Sequence, residues 1–99
     1  MDLYTIDNVA GTPLGLVTGS TIKTKDIVKD IGAGLKSIVG GKLGSYEKLM
    51  VEARSEAIEQ MVSQAEALGA NAVVGVRFES TEVAAGAAEI LAYGTAIKR

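Results

Sequence analysis

The chain has 99 residues, 47% hydrophobic and 22% charged, with a formal charge of −2. That length suits one domain spanning 1–99, and the lack of a basic cluster removes the phosphate-neutralising charge on which nucleic-acid binding depends. With neither cysteine nor histidine, the chain has no disulfide, no thiolate or imidazole metal ligand, and neither the commonest general base nor the strongest nucleophile among side chains.

The start Met1-Asp2-Leu3-Tyr4 shows no basic stretch followed by an apolar one. No segment nears the roughly eighteen apolar residues of a membrane span, so a cytoplasmic protein with no membrane partner is expected. Tyr4, Tyr46, Phe78 and Tyr93 share their core with abundant glycine and alanine. So thin a core leaves apolar surface that one small monomer does not bury, and the first functional expectation is association of the chain with itself.

In chain order, residues 3–6 read as a short strand, and residues 8–13, with Gly11 and Pro13, as the turn after it. Residues 14–22 hold Leu14, Leu16, Val17, Thr18, Thr21 and Ile22 and read as a second strand, in which Gly15 and Gly19 mark a bulge or a close backbone approach. Thr24 can cap a helix whose apolar positions Ile27, Val28, Ile31, Leu35, Ile38 and Val39 fall on one face, ended by Gly40-Gly41.

The clearest local signal is a helix over residues 45–68. Ser45 is a suitable cap, Glu47 complements the positive helix end, and Gly69 follows Leu68. Tyr46, Met50, Ala53, Ala57, Met61, Ala65 and Leu68 form its apolar stripe; Lys48, Glu52, Glu56, Glu59, Ser63 and Glu66 occupy polar positions. Residues 72–78 then read as a core strand with Val74, Val76 and Phe78 on one side and Val73, Gly75 and Arg77 on the other. Small residues over 81–88 suggest a return loop into a last strand over 89–98, a terminal hairpin. The order β-β-α-α-β-β points to an α+β fold, an antiparallel or mixed sheet carrying two helices on one face.

Four segments together resemble the YbjQ-like family, whose members carry a heavy-metal-binding label without an established activity. They are Gly15-Leu16-Val17-Thr18-Gly19, Gly40-Gly41-Lys42-Leu43-Gly44-Ser45-Tyr46-Glu47, Ala67-Leu68-Gly69-Ala70-Asn71-Ala72-Val73-Val74-Gly75-Val76, and Gly94-Thr95-Ala96-Ile97-Lys98. Their order and spread over the chain make the combination specific where each patch alone is weak. The resemblance implies a dodecin-subunit-like fold and a ring-shaped homo-oligomer, typically a pentamer, assembled partly through added strand pairing.

Candidate binding residues cluster before the long helix. Gly41, Lys42, Gly44, Ser45 and Tyr46 could meet a small anion through backbone amides at a Ser45 helix start and the Lys42 ammonium. The segment is not a nucleotide-binding P-loop, because Leu43 follows Lys42 and the segment comes after a helix instead of a strand. Gly32-Ala33-Gly34 has Ser37 where a dinucleotide fingerprint needs glycine. Met50 and Met61 lie on the apolar stripe and read as core, and Glu52, Glu56, Glu59 and Glu66 as a solvated face, so no metal ligand is assigned. The hydroxyls of the run Thr18-Gly19-Ser20-Thr21 could bond a ligand but read first as satisfying nearby backbone, and Arg77 reads first as a surface charge, with pairing to Glu79 or Glu89 or a place at a subunit boundary as alternatives. The expectation is a non-enzymatic homo-oligomeric ring, with any small ligand or ion at subunit boundaries and no cofactor assignable. The alternatives are a carrier or sensor of a small anion or metal ion, and an enzyme using Lys42, Tyr46 or Glu47.

Overall fold

The computed structural model describes residues 1–24, 41–84 and 87–99, leaving aside the side chains of residues 24 and 41–46. β3 (Ala72–Ala84), rich in β-branched residues, pairs antiparallel with the alanine-rich β4 (Ala87–Lys98). β2 (Thr12–Thr24) pairs antiparallel with the other side of β4, from Thr12 opposite Lys98 to Thr24 opposite Ala87. The short β1 (Asp2–Leu3) runs parallel to β3, so the strand order is β1-β3-β4-β2. One helix, α1 (Gly41–Ala67), crosses a face of this mixed sheet, closest to β2 and then β4.

Among the described residues the order is therefore β-β-α-β-β with a single helix. This overturns the expected β-β-α-α-β-β, dodecin-subunit-like arrangement with two helices. The described residues that flank the expected first helix differ from that reading. Thr24 is the last rung of β2, opposite Ala87, and so is a strand residue and not a cap. Gly41 opens α1 instead of closing an earlier helix. The rest of the expected first helix, residues 25–40, lies outside the described residues.

The first strand, expected over 3–6, is only Asp2–Leu3, whereas the boundaries of β2, β3 and β4 move outward. Pro13, expected in a turn, sits in β2 beside a register shift at Gly15, whose φ of 138° suits glycine. The expected return loop over 81–88 is mostly strand, because Thr81 pairs with Glu89, Glu82 with Ala88 and Ala84 with Ala87. Main-chain pairing does not need bulky side chains, so a segment of small residues can still form a ladder.

The core is built from a stripe with four-residue spacing. Ala53, Ala57, Met61 and Ala65 are fully buried against Val17, Val73, Val76, Ile90, Ala92 and Ala96, with Met50 partly buried beside them. Leu68, expected to complete the stripe, is exposed just past the helix end. Its alanines bring α1 close to the sheet. A Cβ on Gly19 would sit 1.9 Å from the Ala57 carbonyl oxygen, so the expected close approach is real. On the opposite face Ala72, Val74 and Ile97 pack under Tyr4 and Val9. Gly75, at φ 63°, lies in a register shift between Val74 and Arg77. The irregularity turns Val76 to the helix side with Val73 and leaves Val74 on the other. This corrects the expected grouping of Val74, Val76 and Phe78; Phe78, expected in the core, is 44% exposed.

Candidate functional site

The residues expected to bind a ligand, Gly41, Lys42, Gly44, Ser45 and Tyr46, all lie within the first two turns of α1. The helix starts four residues before the expected Ser45 cap. The side chains of these five residues lie outside the described ones.

The structure brings together a different set of polar groups, along the seam between α1 and β2. The two elements run antiparallel, so one helical turn back along α1 matches roughly two residues forward along β2. Gln64 Oε1 accepts from the Thr18 backbone N–H at 2.9 Å, and Gln60 Oε1 from that of Ser20 at 3.0 Å. One turn earlier, Glu56 accepts from Thr21 Oγ1 at 2.9 Å and from Lys23 Nζ at 2.8 Å. The Lys23 hydrogen bond above all, then that from Thr21, holds the Glu56 carboxyl below its ordinary value against a small opposing effect of burial. On the other face Ser20 Oγ donates to Glu89 Oε2 at 2.8 Å. The hydroxyls of Ser20 and Thr21 thus bond carboxylates and not the nearby backbone, and Glu56 is a tied group where a solvated one was expected.

A second set fastens the N-terminal segment. Tyr4 N–H donates to the Val73 carbonyl at 2.9 Å, and the Val76 and Gly75 N–H groups donate to the Tyr4 and Ile6 carbonyls at 2.9 and 2.8 Å. Arg77 is exposed, as a surface charge would be, and its Nη1 donates to the Thr5 carbonyl at 2.8 Å and to that of Val76 at 2.9 Å. Arg99 pairs with Asp2, bonds the Tyr4 hydroxyl at 3.1 Å, and stacks its guanidinium over the Tyr4 ring at 5.6 Å. Sequence reasoning missed both sets. The one available signal was the Gln60–Gln64 spacing, which puts two amides on one flank of a helix beside the stripe.

The seam and the clamp position chain segments; they join each acceptor to a donor already present. Apolar side chains also stand exposed on the sheet. Leu16 is 71% and Ile22 58% exposed, both on the sheet face away from α1, opposite Thr95 and Glu89. No helix among the described residues is long and apolar enough to cross a membrane.

The pattern of the YbjQ_1 family, described as "Putative heavy-metal-binding", matches residues 1–99. The chain belongs to this family. A UPF0145 protein of Methanosarcina acetivorans is 54% identical, over 99% of this chain and 96% of the relative. Another, of Thermosipho africanus, is 47% identical over 99% and 94%. A crystal structure from Pediococcus pentosaceus, a protein of unknown function in the DUF74 family, superposes with a TM-score of 0.65. At 18% identity over 99% of this chain and 96% of that one, it bears on the fold alone.

The heavy-metal description of the YbjQ_1 family does not fit the donors of this member. It has no cysteine and no histidine, the ligands that soft and borderline metals prefer. Among the described residues no three carboxylates gather where one ion could be held, and Glu56 is already engaged by Lys23 and Thr21.

Proposed function

We propose that this YbjQ-family chain is a non-enzymatic, cytoplasmic subunit of a ring-shaped homo-oligomer, a pentamer by the family resemblance. The observation that carries this reading is the apolar surface a single copy leaves in water. Leu16, Ile22, Phe78 and Val83 are all exposed. The accessible surface is 6129 Å², against about 5300 Å² for a compact monomer of 10.2 kDa. Burying such side chains between copies removes them from water at roughly 25 cal/mol per Å². A small ligand, where one is bound, sits at a subunit boundary near Gly41, Lys42, Gly44, Ser45 and Tyr46. Nucleic acid and membranes are not partners in this reading, given the formal charge of −2.

Light scattering coupled to size separation, from micromolar to millimolar protein, tests the assembly. The expected mass is a small multiple of the chain mass, held across the range; a monomer at every concentration overturns the proposal. Calorimetric titration with phosphate, nucleotides, calcium and magnesium tests the ligand. Heat that disappears in Lys42→Ala supports the boundary site, and flat traces for all four reject it.

A further inference from the structure

The sheet has a second face, turned away from α1, and the register fixes which residues share it. Thr18, Tyr93 and Arg77 form one row across β2, β4 and β3, and Ser20, Leu91 and Glu79 the next. Leu16 and Thr95 lie in the row on one side of these, Ile22 and Glu89 in the row on the other. Residues directly opposite point to the same face, and Ser20 Oγ reaches Glu89 Oε2 on this one. Tyr4 and Val9 cover one end of the face, over Ala72, Val74 and Ile97. Of the ten residues just placed in rows none is buried, and the apolar Leu16 and Ile22 are fully open.

These rows form a pattern that matches itself. Consider two such faces stacked about 10 Å apart with their strands nearly aligned. A two-fold axis between them, running across the strands midway between the Tyr93 and Leu91 rows, reverses the order of the rows. It sets Tyr93 over the partner's Leu91, Leu16 over the partner's Ile22, and Arg77 over the partner's Glu79, each twice by symmetry. Apolar side chains then meet apolar ones, and opposite charges meet. Arg77 donates through Nη1 alone among the described residues, which leaves Nη2 for a carboxylate. Shifting the axis onto either row spoils the match, because Glu79 then faces the partner's Glu79, or Arg77 the partner's Arg77.

We infer that this face packs against the same face of a second copy, in a two-fold contact that stacks sheet on sheet and lengthens neither. The inference rests on the self-association proposed above and adds a different contact to it. A second copy is the occupant because the face complements itself in charge and in apolar positions at one and the same register. A two-fold contact uses subunits in pairs, so a ring with an odd number of subunits cannot complete it internally, and a second ring must supply the partners. The contacts between two rings form together, so each can be weak alone. The assembly then holds twice the subunits of one ring.

The test measures the mass of the 99-residue chain and its variants by light scattering after size separation. The unaltered assembly should hold an even number of subunits. Leu16→Lys with Ile22→Lys replaces exposed side chains and sets lysine over lysine across the axis, so pairing should weaken at least tenfold and the mass fall by half. Leu16→Lys with Ile22→Glu sets opposite charges over each other and should restore the mass, which loss of apolar surface alone would not do. A lysine variant that is folded by circular dichroism and keeps the unaltered mass overturns the face contact, as does a lysine and glutamate variant no heavier than the lysine one. An odd-numbered unaltered assembly overturns the face contact and leaves the ring standing; an unaltered chain that is monomeric at every concentration overturns both. Should the lysine variant unfold, Leu16→Cys with Ile22→Cys decides, in a chain otherwise free of cysteine. These positions are about 20 Å apart within one copy and about 10 Å apart across the axis. A bis-maleimide spanning about 10 Å must therefore link copies in pairs, and linkage no greater than with Leu16→Cys alone overturns the inference.

Discussion

A methyl group at position 19 would lie 1.9 Å from the Ala57 carbonyl oxygen and 2.7 Å from the Met61 nitrogen. Both are helix backbone, which cannot swing aside as a side chain can, so Gly19→Ala must push α1 off the sheet. A loss of about 3 kcal/mol is expected in urea unfolding, the upper end of ordinary overpacking. Glu56 makes a smaller, pH-dependent contribution because its side chain is 44% exposed. Its folded carboxyl titrates below its unfolded value, so its stabilising effect is present above the unfolded value and fades as pH falls through the folded one. Glu56→Gln should melt below the unaltered chain at about pH 7, with the difference closing towards about pH 3. A constant difference across that range would count against the Lys23–Glu56 contact. The alanines of α1 were legible as a packing stripe because burial follows the helical repeat. Gln60 and Gln64 were not, because a polar residue on a helix flank looks the same whether it meets water or a strand edge.

β3 shows what periodicity can and cannot say at the level of an element. Its apolar residues identified a strand correctly, but simple alternation misplaced Val74, since the irregularity at Gly75 shifts every later residue by one face. A glycine in a strand is a signal for a bulge, yet Gly15 and Gly75 mark irregularities while Gly19 marks a helix contact. Composition alone does not separate these roles. At Gly75 the only neighbour of an added Cβ is Asp7 at 3.9 Å, so space is free and the cost of substitution is conformational. Gly75→Ala should lose about 1 kcal/mol in thermal or urea unfolding, and Gly75→Asn less, because asparagine tolerates positive φ. Equal losses would mean that the side chain meets an obstacle and not a backbone preference. The helix boundary at Gly41 was illegible for a related reason. A glycine pair beside a helical stripe marks a boundary without saying on which side of it the helix lies.

The whole molecule is drawn out, 53 × 20 × 17 Å, with a radius of gyration of 16.8 Å against about 13 Å for a compact chain of this length. Among the described residues that shape follows from strands of 12 and 13 residues crossed by a 27-residue helix on one face. The surplus of apolar surface was legible in composition, but its location was not, because it depends on where the helix ends up. The seam between α1 and β2 adds a geometric limit. Four residues of helix advance about 6.0 Å and two residues of strand about 6.7 Å, so matched positions fall out of step by about 0.7 Å at each repeat. The two scales behave as a vernier. They coincide well at Gln64 and Gln60, and one repeat further on the contact has passed from the backbone to the side chains of Thr21 and Lys23. A straight helix can therefore shield only a short length of a neighbouring strand by this means, however long both become.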